Sequence, residues 1–176
     1  MIMIGNNNYR SINTGFKQLL CLWPLVLAGL LFSDYSLALA PGNKAPNIMG
    51  QTMHESTFSL SQMKSQTILI NFFWINCKPC IKEMPELAEL EKANADLKVL
   101  AIHVVEEPLS AILGFLTKLN AHPKMIIAAS PQVRESYDIP GLPYTVIISN
   151  GIIVNEYLGY SEASFQRIKN DLKDLE

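Results

Sequence analysis

Short, strongly apolar runs alternate along this chain with stretches whose apolar residues recur every three or four positions. Residues 68–75 form such a run, rich in β-branched and aromatic side chains, which is the pattern of a strand buried on both faces. From Cys80 onward the spacing turns helical. Ile81, Met84, Leu87, Ala88 and Leu90 share one side, predicting a helix to about residue 93 that is kinked at Pro85. Residues 98–105 predict a second buried strand, and His103 within them reads as a satisfied core or edge histidine. Residues 110–119 predict a helix with one apolar face, residues 125–128 are a short apolar piece, and residues 131–137 predict a short helix. Residues 144–149 predict a third strand; Asn150-Gly151 then signals a hairpin, and residues 152–157 return antiparallel. Ser161 caps a closing helix over residues 161–175 whose buried side is Phe165, Ile168 and Leu172. Upstream, residues 47–53 and 57–60 read as short strands around a solvated turn at His54-Glu55, with one helical turn over residues 59–64. The order β-α-β-α-β-β-α predicts an α/β fold: a central mixed four-stranded sheet flanked by helices, with an N-terminal β extension.

The chemistry in this pattern is sulfur. Cys77 and Cys80, with Lys78 and Pro79 between them, stand where the first buried strand hands over to a helix N-terminus. Unpaired N–H groups and the partial positive charge there favour a thiolate, and the Lys78 cation pushes the same way. Cys77, at the mouth of the turn, is predicted to be the exposed nucleophile, and Cys80, one turn inside, the resolving thiol. Pro79 suits a first helical position because it has no N–H to leave unpaired. A ring this small removes little entropy from the unfolded chain, so the bridge reads as a switch rather than a strut. Zinc would need four ligands, and His54, His103 and His122 are scattered without ligand spacing.

The front of the chain changes the picture of where this happens. Residues 1–18 carry Arg10 and Lys17 and no acid, residues 19–32 are an apolar core of fourteen, and small residues follow in the stretch SLALAP. That order predicts a secretory signal over residues 1–38, cleaved after Ala38, with an uncleaved membrane anchor as the rival reading. The core is shorter than the roughly 20 residues of a spanning helix. Cys21 lies inside the apolar core and leaves with it. The remaining 138 residues, 39–176, suffice for one domain, carry twelve Lys and Arg against fifteen Asp and Glu, and keep two cysteines, both in the motif. An exported chain with no thiol outside one close pair points to redox use. No basic patch invites nucleic acid.

Four stretches together resemble the thioredoxin-like superfamily, and within it the exported TlpA/ResA-type thiol-disulfide oxidoreductases. They are Gly42-x-x-Ala45-Pro46 with Phe58-Ser59-Leu60; Asn71-Phe72-Phe73 through Cys77-Lys78-Pro79-Cys80 to Glu83-Met84-Pro85; residues 137–143, YDIPGLP; and the hairpin over residues 145–151. The resemblance implies that Pro143 is cis and faces the disulfide, keeps metal off the thiols, and turns the backbone so that Leu142 can pair with an extended substrate segment. It implies an acidic residue near the resolving thiol at Glu83, a partner for the Cys80 proton; a solvated first-turn glutamate is the other reading. Asn71 stands where thioredoxin has a buried aspartate. The chain departs from the family at Asn76, where Trp usually precedes the first cysteine, and carries Trp74 two residues earlier. Tyr144 stands where the cytochrome c maturation branch commonly has Glu.

The expectation is therefore a periplasmic enzyme with no small cofactor that reduces client disulfides, of the cytochrome c or metal-site assembly type. Electrons would come from a membrane donor of the DsbD/CcdA type. A disulfide-forming oxidase is the rival within the class, although residues 81–97 leave no room for the large helical insertion of DsbA-like proteins. A peroxiredoxin would want Thr at position 74, which is Trp. A non-catalytic copper-binding module is the rival from another class.

Overall fold

In the computed structural model, residues 39–63, 66–129 and 131–175 are described; the signal at residues 1–38, its cut after Ala38 and Cys21 lie outside them, as does the end of the helical turn proposed at Lys64. The elements run β1 (Met49–Thr52), β2 (Thr57–Ser59), a 3-10 turn (Leu60–Gln62), β3 (Thr67–Phe73), α1 (Lys78–Ala93), β4 (Leu97–His103), α2 (Leu109–Leu116), β5 (Met125–Ala129), α3 (Gln132–Ser136), β6 (Tyr144–Ser149), β7 (Ile152–Leu158) and α4 (Glu162–Lys173).

β3 sits near the middle of the sheet, as its run of buried residues requires. It pairs parallel with β4 and antiparallel with β6, and β7 returns beside β6. The hairpin turn has Asn150 at φ 52° and Gly151 at φ 80°, the twist that two-residue hairpins need. These four strands are the expected sheet. The sheet nevertheless has seven strands, in the order β2-β1-β5-β4-β3-β6-β7. The apolar piece at 125–128 is a fifth strand, parallel to β4, and the N-terminal extension joins the same sheet by laying β1 antiparallel on β5.

Alternation along β3 splits its side chains between two faces. Ile68, Ile70 and Phe72 pack with Leu100, Ile102, Val146, Tyr137 and the extension's Ile48 and Phe58. On the other face Leu69 packs with Leu87, Phe165, Ile168 and Leu172 of α1 and α4, while Phe73 packs with Cys80, Met84, Ile112 and Leu116. α4 starts as expected, with Ser161 accepting the Ser164 N–H in a reciprocal cap. α1 begins earlier than the spacing indicated, at Lys78, and continues through Pro85 to Ala93.

One glycine is fixed by a close approach. A Cβ on Gly50 would lie 2.6 Å from Ile127 Cγ2 and 2.7 Å from the Ala128 carbonyl oxygen, where β1 pairs with β5. Backbone cannot retreat as a flexible side-chain end can, so Gly50→Ala is expected to lower unfolding free energy by roughly 2 kcal/mol in urea titration. An unchanged midpoint would mean that β1 adds nothing to the sheet.

Candidate active site

β3 delivers its last residue, Phe73, into a turn closed by the Cys77 N–H donating to the Trp74 carbonyl at 3.0 Å. Cys77 is the N-cap of α1, in extended conformation, and its sulfur accepts the Cys80 N–H at 3.3 Å. The free donors of the helix end are thus aimed at the first cysteine, which is the arrangement that favours its thiolate. Cys77 and Cys80 are joined by a disulfide, with 5.2 Å between their Cα atoms. Their exposures differ: Cys77 is half-buried and Cys80 is 1% exposed. Lys78 and Pro79 are exposed in the first turn, and Pro79 occupies a position with no helical acceptor to satisfy.

The Leu142–Pro143 peptide is cis. Leu142 packs on the apolar cluster that contains Cys80, Phe73 and Met84 and includes Cys77 at its margin. The Pro143 carbonyl accepts the Gly159 N–H at 2.8 Å, tying this loop to the end of β7.

Beneath the disulfide lies a polar group inside the core. Glu83 is 1% exposed, so the reading of it as a solvated first-turn residue is overturned. The i+3 spacing from Cys80 turns it inward, toward β3, rather than out to water. Asn71 Nδ2 donates to Glu83 Oε2 at 2.9 Å and to Thr145 Oγ1 at 3.0 Å, and the Thr145 hydroxyl reaches Glu83 Oε1 at 3.5 Å. Asn71 and Thr145 are direct partners in the β3–β6 register, which is why one carboxylate can meet both. Burial raises the Glu83 pKa from 4.5 to about 7; the Asn71 and Thr145 hydrogen bonds oppose the rise and the Glu86 charge adds to it. Thr145 was not singled out from the sequence. Its only signal was a hydroxyl amid the apolar residues of β6.

A second polar group flanks the turn. His103, the last residue of β4, is 1% exposed and packs edge-on against Phe73 at 5.2 Å between centroids. It is a core histidine, as expected, but not a satisfied one. Its Nε2 lies 3.2 Å from Glu107 Oε2 without the alignment of a hydrogen bond, and both atoms lack a hydrogen-bond partner. Burial pushes the His103 pKa below its ordinary value against the opposing pull of Glu107. The other oxygen, Glu107 Oε1, accepts the Trp74 indole N–H at 3.1 Å. Glu107 follows the strand in a polar stretch and carries no periodic signal by which the sequence would mark it.

Among the described residues no three His, Cys, Asp or Glu side chains gather as a metal site would require, and no helix is long and apolar enough to cross a membrane.

A disulfide pair whose first cysteine caps the helix that follows a central strand, with a cis-proline loop packed against its cluster, defines the class: a thioredoxin-like thiol-disulfide oxidoreductase. The chain belongs to the Redoxin family, whose model matches residues 40–172. It is 28% identical over 131 residues to the thiol-disulfide oxidoreductase ResA of Halalkalibacterium halodurans, covering 73% of each chain. To ResA of Bacillus subtilis it is 26% identical over 114 residues, covering 64% of this chain and 63% of that protein. In fold it is similar to a thiol:disulfide interchange protein DsbE from Chlorobium tepidum, with a TM-score of 0.70, 20% identity, and coverage of 78% of this chain and 98% of the other. These relatives make it a TlpA/ResA-type thioredoxin-like protein.

Proposed function

We propose that the chain works outside the cytoplasm, in the periplasm, as a reductant of client protein disulfides. The observation that carries this reading is the buried Glu83, one turn beyond the shielded cysteine and able to exchange a proton near neutrality. In the reduced protein the Cys77 thiolate attacks one sulfur of a client disulfide, and a client thiolate leaves as the mixed disulfide forms. Cys80 then gives up its proton, for which the Glu83 carboxylate is the acceptor. Its thiolate attacks the Cys77 sulfur, releasing the second client thiolate. Two electrons have passed to the client, and the chain is left with the Cys77–Cys80 disulfide.

Leu142, beside cis-Pro143, offers backbone to an extended client segment, while Lys78 and Pro79 present the exposed face of the first helical turn. The leader over residues 1–38 supports export, and an uncleaved leader would tether the domain to a membrane. Recharging needs a dithiol donor, for which a membrane thiol transporter of the DsbD/CcdA type fits. Apocytochrome c and metal-site assembly proteins fit as clients.

The reduction potential of the Cys77–Cys80 couple tests the direction. A value at or below about −230 mV is expected, near the range where thioredoxin sits. A value near about −120 mV would make the protein an oxidant and reverse the proposal. A pair that binds copper and never cycles would leave a binding module in its place.

A further inference from the structure

A half-buried carboxylate facing a buried imidazole that it does not properly bond is an expensive arrangement, and such a pair is weak evidence for stability. The position of this one matters. His103 closes β4 beside Phe73, the residue from which the cysteine turn springs, and the Val104 N–H donates to the Phe73 carbonyl at 3.3 Å. Ligands of open α/β sheets meet the protein at this carboxyl end of the strands. From there two hydrogen bonds run to the redox site. Glu107 Oε1 accepts the Trp74 indole N–H at 3.1 Å, and the Trp74 carbonyl accepts the Cys77 N–H at 3.0 Å. One residue is therefore held at both ends, by a carboxylate through its side chain and by the nucleophile's amide through its backbone.

We propose that Glu107 is a positioning residue for the redox reaction: it clamps the Trp74 indole and thereby fixes the turn that presents Cys77. His103, wedged edge-on against Phe73, is the wall that keeps the carboxylate turned toward Trp74. Asn76, which immediately precedes the cysteine, is exposed and carries no ring, so Trp74 is the nearest aromatic residue ahead of Cys77 along the turn. Trp74 is half-buried and so supplies both an anchored edge and a contact surface beside Cys77. This inference rests on Cys77 being the attacking thiol.

The test is a double-mutant cycle in the full chain carrying Trp23→Phe, which leaves Trp74 as the one tryptophan. Glu107→Ala is expected to cut kcat/KM for reduction of insulin disulfides about tenfold, since small displacements at a reacting centre are costly. Trp74→Phe, which keeps a ring but loses the N–H, is expected to match it. The double variant should lose nothing beyond either single one, because both break one contact. Glu107→Gln retains an acceptor for the indole and should stay within about twofold of the parent. Trp74 emission in Glu107→Ala should move to the red as the freed indole gains water.

Losses that multiply in the double variant would overturn the clamp, as would a parent-like Glu107→Ala. Should Glu107→Ala not fold by circular dichroism, Trp74→Phe and Glu107→Gln decide: a parent-like rate in the first, or an equal loss in the second, rejects the proposal. A parent inactive on insulin would count against the proposed reductase alone, while the emission of Trp74 would still report the clamp.

Discussion

Cys77→Ser is expected to bring disulfide reduction down to background, a loss on the order of a thousandfold or more. Cys80→Ser is expected to stop the cycle halfway instead. The two sulfurs sit in different surroundings: Cys77 is half-buried at the helix mouth with the Cys80 N–H pointed at it, whereas Cys80 is 1% exposed behind it. A client disulfide can reach the first and not the second. With Cys80 replaced, the attack by Cys77 still forms a mixed disulfide, but no internal thiol remains to resolve it. The adduct should accumulate as a higher band on a non-reducing gel and vanish with dithiothreitol. Adducts trapped by Cys77→Ser and not by Cys80→Ser would exchange the two roles.

Glu83→Gln should make the protein more stable and slower at once. In the unfolded chain Glu83 ionises near 4.5, while in the folded chain burial holds its proton to about 7. Between those values the native state keeps a proton that the unfolded state has lost, so stability falls as pH rises through the interval. The full loss is about 3 kcal/mol and is complete above pH 7. A neutral amide of the same shape can still accept from Asn71 Nδ2 and face the Thr145 hydroxyl, without ionising. At pH 8 the variant should therefore unfold at higher urea than the parent, and near pH 4.5 the two should coincide. Resolution of the mixed disulfide should meanwhile slow by about a hundredfold in the variant, with the difference largest above pH 7, where the parent carboxylate is free to take the Cys80 proton. Equal pH dependence of stability in both proteins would mean that Glu83 keeps its ordinary pKa.

Much of this was readable from residue order, for identifiable reasons. Strand β6 has the limits its pattern indicated, because the Asn150-Gly151 turn ends it sharply. The dithiol was legible because an apolar run and a helical spacing meet at two cysteines. β5 was not, since MIIAA is too short to show a period and its pairing partners lie far away in sequence. The burial of Glu83 was not legible for a related reason: near a helix start the dipole alone accounts for an acid, and only the position of Asn71 and Thr145 on neighbouring strands provides partners for a buried one. Glu107 was invisible because its partners, Trp74 and His103, come together only through the register of β3 and β4.

The N-terminal stretch has a consequence beyond its share of the core. β1 covers the outer side of β5, and residues 42–45 bond to the start of β7 through Gly42, Asn43 and Ala45 at 2.8 to 2.9 Å. The same short piece of chain thus touches both flanks of the sheet, along β5 on one side and at the β6–β7 turn and the first residues of β7 on the other. A chain starting at Thr67 would keep both cysteines, Glu83 and cis-Pro143, yet would offer raw strand edges on either side to its neighbours. The residues that shield the sheet edges thus lie outside the stretch that carries the dithiol, and a form shortened to Thr67 is expected to associate through those edges.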